Sequence, residues 1–503
     1  MSFKKNLKLL AFIQIFIAIL MLVPMFVSYR YGEARAAHSF LITIGIMVLF
    51  SGGVLLVLRK TEITNLRHRD GFFFVTFSWI MATAFGAIPL VMSREFTSYS
   101  AAFFEIMSGF TTTGATTFSD VIIPELGHPM YTLTGIEGCS KGILFWRSMT
   151  NWLGGMGIVV LFVALLPAIG ATTGAGTFHL MGAESVGPVK GKLTPKTKTT
   201  AMALWGIYVG FSVLETICLL FGGLSLYEAV TVTFSTIAAA GFCVKASSIG
   251  AFNSAYVDAI VTLFMLIAGA NFALYYRAFT GKIKSVLRDS ELRWFLGIWF
   301  IASVAAAIQL THTGTYDNIL TAFRYAAFHV ASVLTTTGFA TTNYLNWPSF
   351  SIMIVVLMMF IGGCAGSAGG GMKVTRIETL CKLGGNTIRK RIHPSSVSKV
   401  RLGDDIIHED TVMSIAAFCA IYMLTCILGT VILTLTGNTI ETCMAASILT
   451  LGNIGIGFGD VGPAGNFSIF PNWSLWVCSF EMLLGRLEIF TVLVLFSRSF
   501  WKR

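Results

Sequence analysis

Residues 335–339 read Thr-Thr-Thr-Gly-Phe, and residues 111–115 read Thr-Thr-Thr-Gly-Ala. A glycine strip spelled almost identically at two distant places is the sign of an internal repeat, and a repeat decides the fold before anything else does. Each strip lies between two long apolar runs. Each follows a short apolar segment, Tyr99 to Phe110 before Gly114 and Asn318 to Leu334 before Gly338. Two further gaps share this anatomy. Leu226 to Ala238 leads into Ala239-Ala240-Gly241-Phe242, and Thr439 to Leu451 leads into Asn453-Ile454-Gly455-Ile456-Gly457. The unit is therefore span, short helix, glycine strip, span. It occurs four times, centred on Gly114, Gly241, Gly338 and Gly455, at intervals of 127, 97 and 117 residues.

A segment of about 12 residues cannot cross the hydrocarbon core. Irregular backbone at membrane depth is tolerated only where protein buries it or water reaches it. A short re-entrant helix followed by an extended strip satisfies both conditions if four copies meet on one axis. The strip carbonyls then face inward and replace the hydration shell of a cation. Glycine adopts positive φ without a Cβ penalty, threonine hydroxyls add oxygen ligands, and the C-terminal end of each short helix turns its partial negative charge to the axis. A tight-turn role explains any one of these glycines alone; four at equivalent places point to a filter. Its candidate residues are Thr112, Thr113, Gly114, Ala115, Ala239, Ala240, Gly241, Phe242, Thr336, Thr337, Gly338, Phe339, Asn453, Ile454, Gly455 and Ile456. The ion would bind at Thr112, Thr113, Ala239, Ala240, Thr336, Thr337, Asn453 and Ile454. In the second strip Ala-Ala stands where two strips have Thr-Thr, which keeps the carbonyls and loses the hydroxyls.

Composition agrees with a membrane chain. Of 503 residues, 55% are hydrophobic and 12% charged, and 50 are glycine, against about 25% charged in soluble proteins. Ten apolar runs are each near spanning length: 9–29, 39–58, 72–92, 142–168, 200–222, 254–276, 294–310, 350–372, 410–435 and 473–497. The side holding both termini and the gaps 59–71, 169–199, 277–293 and 373–409 carries 27 of the 35 Lys and Arg residues. The positive-inside rule makes that side cytoplasmic. The net charge of +11 thus reports topology and some attraction for anionic lipid, not a nucleic-acid partner. A signal peptide competes for the N-terminus, where Lys4, Lys5 and Lys8 precede an apolar run and Ala34-Arg35-Ala36 resembles a cleavage site. The run exceeds an ordinary signal core, so a retained helix is expected. The nine cysteines show neither pairing nor metal spacing.

The sequence predicts an all-α integral membrane protein. Four pseudo-symmetric helix–pore-helix–helix repeats surround one pore, preceded by two extra transmembrane helices. The predicted units are 1–70 for the extra helices and 71–198, 199–290, 291–409 and 410–503 for the repeats.

Two features sit below the filter. Residues 362–371 hold six glycines (Gly362, Gly363, Gly366, Gly369, Gly370 and Gly371) inside a spanning run. Each glycine costs a helix about 1 kcal/mol relative to alanine, so the helix should break into a flexible loop across the ion path. The competing reading is close packing of small residues between helices. Arg486 lies 13 residues into the last run, about 20 Å deep, where an arginine is costly and functional by default. Its expected partners are carbonyls of 362–371, Glu481 or Glu488, with an ion pair to Glu488 as the structural reading.

Gly362-Gly363-Cys364-Ala365-Gly366-Ser367-Ala368-Gly369-Gly370-Gly371-Met372-Lys373, Gly485-Arg486-Leu487-Glu488, Gly269-Ala270-Asn271-Phe272 and the four strips together resemble the TrkH subfamily of the Trk/Ktr/HKT potassium transporters. The resemblance covers essentially the whole chain, and the two additional N-terminal spans fit TrkH better than its shorter Ktr relative. It implies potassium uptake across a bacterial inner membrane, with K⁺ as the transported ion. Serine at one filter position goes with sodium transport in that family, so four glycines imply K⁺. It further implies that the glycine loop and Arg486 act as a gate, and that the protein works as a homodimer with a TrkA-type cytoplasmic ring that binds nucleotide. A lipid-facing surface is the other reading of the basic segment 373–409. The chain itself has no phosphate-binding glycine loop, so no cofactor is expected in it.

Two other classes remain. A symporter coupled to H⁺ or Na⁺ would bury several ionisable groups at the midplane; the spans offer little beyond Arg486, with Glu215, Glu481 and Glu488, so the sequence gives coupling poor support. A membrane enzyme would need a nucleophile with its base, or a metal cluster, and neither pattern is present in the sequence. Smaller expectations concern the rims. Asp120 and Asp460 would gather cations at the mouth, with Lys245 opposing them. Glu228 and Glu441 would open their short helices. Arg147 and Asn151, near Trp146 and Trp152, read as interface anchors.

Overall fold

The computed structural model describes residues 3–63, 67–118, 135–157, 197–395, 399–403 and 405–502. Asp120, residues 158–168 of the fourth apolar run and most of the 169–199 gap lie outside these.

All four short helices form where their sequences place them: Tyr99–Phe110, Leu226–Ile237, Ile319–Leu334 and Ile440–Gly452. The starts of the last three are chemically marked. Ser225 and Glu228 form a capping box, the side chain of Asn318 accepts the Leu320 amide, and Thr439 accepts that of Thr442. Such caps satisfy amides that the first helical turn leaves free. In the first short helix every residue from Ala101 to Phe110 is buried. In the third, so is every residue from Ala326 to Leu334. The short helices thus form the core. Around them stand long helices, including Ala34–Val57, Thr197–Phe221, Ser290–His312 and Glu409–Thr434. These expose Leu49, Val57, Phe221, Ile301 and Met413, an apolar outer surface suited to lipid tails. The first helix, Phe3–Leu20, buries Leu9, Ile13 and Ile17 against Ala34–Val57 and His68–Gly86, and Asn6 donates to Asp70 at 3.2 Å.

Six helices among the described residues are long and apolar enough to cross unaided. The other predicted spans are interrupted, which corrects the uniform ten-span reading. Run 142–168 gives the helix Lys141–Gly155, with Gly157 at φ 84°. Run 254–276 gives Ala255–Gly269 and Phe272–Phe279, bent by 93° at the break. Run 350–372 gives Ser349–Met359, after which helix resumes only at Val374–Ile392. Run 473–497 gives Asn472–Arg486, then Glu488 and Ile489 at φ 56° and 48°, then Phe490–Leu493. Each of these helices follows a glycine strip and has only 11 to 15 residues, about 16–22 Å of rise against a core of about 30 Å.

The freed backbone groups at two breaks satisfy one another. Cys364 N–H donates to Gly269 O at 2.8 Å, Ala368 N–H to Ala268 O at 3.2 Å, and Phe272 N–H to Gly366 O at 3.2 Å. Asn271 starts the new helix by accepting the Ala273 amide at 2.9 Å. The glycine segment is laced onto the break between Gly269 and Phe272, which removes the penalty for bare backbone buried among apolar helices. Farther along, Arg401–Leu402 pairs antiparallel with Asp405–Ile406.

Candidate functional site: the convergence of four strips

One or two residues past each short helix stands a residue with left-handed backbone: Thr112, Ala239, Thr336 and Asn453, at φ 56°, 54°, 63° and 53°. Gly114, Gly241 and Gly338 follow two residues later at φ 79°, 71° and 82°, where a side chain is strained. Gly455 departs from the pattern, since its φ is not in the left-handed range.

The glycines touch in sequence order and the order closes. A methyl group on Gly114 would lie 1.9 Å from Ala240 O, one on Gly241 2.1 Å from Thr337 O, and one on Gly338 2.4 Å from Gly455 N. On Gly455 it would meet Gly114 C and O and Gly338 Cα at 3.3 Å. Four strips therefore surround one axis, with the first and third opposite each other and the second and fourth opposite each other.

Strips one and three are braced from within. Thr111 and Thr335 each donate back to the helix carbonyl four residues earlier. The same hydroxyls lie 2.8 Å from those of Thr113 and Thr337. Ser108 and Ser332 donate to Ala115 O and Phe339 O, each at 2.6 Å. Strip four borrows its support: Asn453 Nδ2 donates to Thr113 Oγ1 at 3.0 Å and to Met482 O at 2.9 Å. Thr336 Oγ1 accepts the Gly370 amide at 2.7 Å. Protein contacts thus engage the hydroxyls of Thr113, Thr336 and Thr337, which the sequence suggested as ion ligands.

The glycine segment lies directly against the inner ends of strips three and four. A methyl group on Gly369 would meet Thr335 O at 2.5 Å, and one on Gly370 would meet Gly452 O at 2.5 Å. Gly362, Gly366 and Gly371 have positive φ, and Gly363 abuts Gly269 O at 3.0 Å in the same sense. Arg486 completes the layer. Its Nη1 donates to Ala368 O at 2.7 Å, and its Nη2 to Gly154 O and Gly155 O at 2.5 and 2.9 Å. The latter two carbonyls end the helix Lys141–Gly155, where unpaired carbonyls and the helix dipole attract a cation. Loop carbonyls were expected around Arg486. The Glu488 ion pair goes elsewhere, to Arg376 at 2.6 Å, because the helix breaks at Leu487–Ile489 and turns Glu488 aside. Glu481 is held by Ser447 and Thr450.

A model of the TrkH family, described as cation transport protein, matches residues 38–503. The chain belongs to the TrkH family. Its full length aligns with the full length of the Trk system potassium uptake protein TrkH of Salmonella typhimurium, at 35% identity. The TrkH of Halomonas elongata is 33% identical, also over both whole chains. The Trk system potassium uptake protein TrkG of Escherichia coli is 34% identical over 96% of this chain and 95% of that protein. The crystal structure of the potassium transporter TrkH from Vibrio parahaemolyticus superposes over both whole chains with a TM-score of 0.86, at 31% identity.

Other residues fall into place around this TrkH-family core, and some were not foreseen. Lys373, read only as a cytoplasmic charge, is fully buried. Its amine donates to Gly369 O and reaches Ser367 Oγ at 3.4 Å, so a second basic side chain stands in the Arg486 layer. Its place directly after the glycine run was the available signal. Arg147 and Asn151 are not interface anchors: both are buried, and Asn151 donates to Ser235 at 3.1 Å. Among rim residues, Asp460 accepts from Thr442 at 2.9 Å and so ties its loop to the fourth short helix. Lys245 pairs with Glu228 at 3.7 Å, and Glu441 sits in the first turn of its short helix. The segment 373–409 presents Arg389, Lys390 and Arg391 at the end of the helix Val374–Ile392, all exposed.

Proposed function

We propose that this protein takes up potassium across a bacterial inner membrane by a channel-like route, with both termini in the cytoplasm. The closed ring of glycine contacts carries the proposal. Four strips on one axis can present their carbonyls together to a dehydrated cation, which is what selection by a filter requires. K⁺ would shed water among the carbonyls of Thr112, Thr113, Ala239, Ala240, Thr336, Thr337, Asn453 and Ile454. Gly114, Gly241, Gly338 and Gly455 would allow the strips to approach. The names of the aligned relatives support potassium as the ion.

Inside the filter, the segment Gly362 to Gly371 and Arg486 would form a gate. The segment would obstruct the path, and the Arg486 guanidinium would repel a cation arriving from the filter. At an effective dielectric of about 20, two unit charges 4 Å apart repel by about 4 kcal/mol, enough to hold flux low. Six glycines would let the segment move once the side chains of Arg486, Lys373 and Thr336 release its backbone. A homodimer served by a TrkA-type nucleotide-binding ring on the basic cytoplasmic surface would supply regulation. The test is flux through Arg486→Ala and through a variant shortened within 366–371. Both should pass more cation than the parent; unchanged flux in folded protein would remove the gate.

One observation favours coupling to H⁺ or Na⁺ as a second reading. Glu215 is fully buried, and no ion pair engages it among the described residues. Coupled uptake would respond to a proton or sodium gradient and lose that response in Glu215→Gln, whereas a passive pore would keep its flux.

A further inference from the structure

We propose that Arg147 is a positioning residue for ion discrimination: it fixes strip two to strip one through Glu105, Phe242 and Cys243. The inference rests on reading the strips as a filter, and it assigns to this pair the bracing that strip two lacks.

Strip two has Ala238, Ala239 and Ala240 where strips one and three have three threonines, so no hydroxyl braces it from within. Its counterpart to Ser108 and Ser332 is Ser235. That hydroxyl donates to Thr231 O at 3.3 Å and accepts from Asn151, whereas Ser108 and Ser332 clasp the carbonyl just past the filter glycine. Arg147, on the helix Lys141–Gly155, supplies the clasp. Its Nη1 donates to Cys243 O at 3.1 Å, and its guanidinium carbon lies 3.5 Å from the centre of the Phe242 ring. Phe242 also lies close to Gly109 of the first short helix, where a methyl group would meet its ring at 3.4 Å.

The anchor is Glu105, on that same helix and fully buried. It accepts Arg147 Nε at 2.5 Å. It also accepts the Thr117 amide at 2.9 Å and the hydroxyls of Thr116 and Thr117 at 2.9 and 3.2 Å, just beyond strip one. One carboxylate therefore holds the outer end of strip one and, through Arg147, the outer end of strip two. A planar guanidinium meets the carboxylate, a carbonyl and a ring face at once; an ammonium cannot.

The test compares K⁺ and Na⁺ flux ratios of purified full-length protein in liposomes for the parent, Arg147→Lys, Phe242→Leu and Gly455→Ser. The ratio does not depend on how much protein folds, so a merely structural role would leave it unmoved. Arg147→Lys should lower the K⁺ preference by on the order of tenfold, as loss of an outer-shell partner does at bound ions. Phe242→Leu should lower it less and serves if the lysine variant does not fold. Gly455→Ser checks the filter reading itself, because that position accepts a side chain with the least backbone strain. If Gly455→Ser changes the ratio and neither Arg147→Lys nor Phe242→Leu does, the positioning role is overturned. If none of the three changes it, the filter reading falls and the proposal falls with it.

Discussion

Strips one and three brace themselves; strips two and four are held through contacts with other parts of the chain. Thr111, Thr113 and Ser108 repeat the hydrogen bonds of Thr335, Thr337 and Ser332 almost bond for bond. Strip four instead reaches across to Thr113 with the side chain of Asn453, and strip two is reached by Arg147. The difference teaches that the ring needs each strip held at a fixed distance, and that the source of the hold is free to vary. The self-braced pair lies across one diagonal of the ring and the dependent pair across the other. Damage to the internal bracing of strip three should therefore stay local, whereas damage at Thr113, Asn453 or Arg147 should spread between strips.

The largest effect should come from crowding the ring. Gly114→Ser and Gly338→Ser each force a side chain into left-handed backbone, costing about 1–3 kcal/mol, and each also meets a neighbouring strip. K⁺ uptake and K⁺ over Na⁺ preference should collapse in liposome flux. Gly455→Ser, lacking the strained φ, should retain uptake with a reduced preference. Equal effects at Gly338 and Gly455 would erase the distinction between their strips.

The largest effect on folding stability, as distinct from transport, should come from the ion pair behind strip two. Arg147→Ala strands the Glu105 carboxylate in the interior, where removing one partner of a buried pair costs about 3–5 kcal/mol. Thermal unfolding in detergent should show a clear fall for Arg147→Ala, and a partial recovery on adding Glu105→Gln. No recovery in the double variant would mean that packing rather than charge pairing dominates there.

Asn453→Ala should cost about 1–2 kcal/mol through its two buried hydrogen bonds. In a double-mutant cycle it should couple to Thr113→Val, since the bond crosses from strip four to strip one. The smallest effect should come from Thr337→Val, which removes one hydroxyl contact worth about 1 kcal/mol. That loss should match Thr113→Val made in an Asn453→Ala background. A marked mismatch would show that the two self-braced strips are not equivalent.

How far the sequence reached follows the same physics. The short helices were legible because their length forbids crossing and the strips after them break the apolar pattern; Tyr99–Phe110 was placed to the residue. The breaks at Asn271 and Glu488 were not, because a helix that bends inside protein keeps an apolar composition. Gly269 with the capping Asn271 was the signal for the first, while Glu488 gave none. Arg147 was misread because Trp146 and Trp152 imitate an aromatic belt. Trp146 is in fact buried and donates to Gly86 O at 3.0 Å, since this helix is wrapped by its neighbours. The third-repeat loop was legible because six glycines leave a helix little reason to persist. That the segment is laced to the second repeat, and that Arg486 ends on the first, depends on contacts between distant residues that no local pattern encodes.

The most direct test of the account is ion flux into liposomes holding the purified protein alone, with K⁺, Rb⁺ and Na⁺ compared in the parent and in Arg486→Ala. The account predicts passive uptake that prefers K⁺ and Rb⁺ over Na⁺, small in the parent and larger in the variant. Uptake without preference, or uptake in both proteins only when a proton or sodium gradient is imposed, would contradict a selective passive pore closed by Arg486.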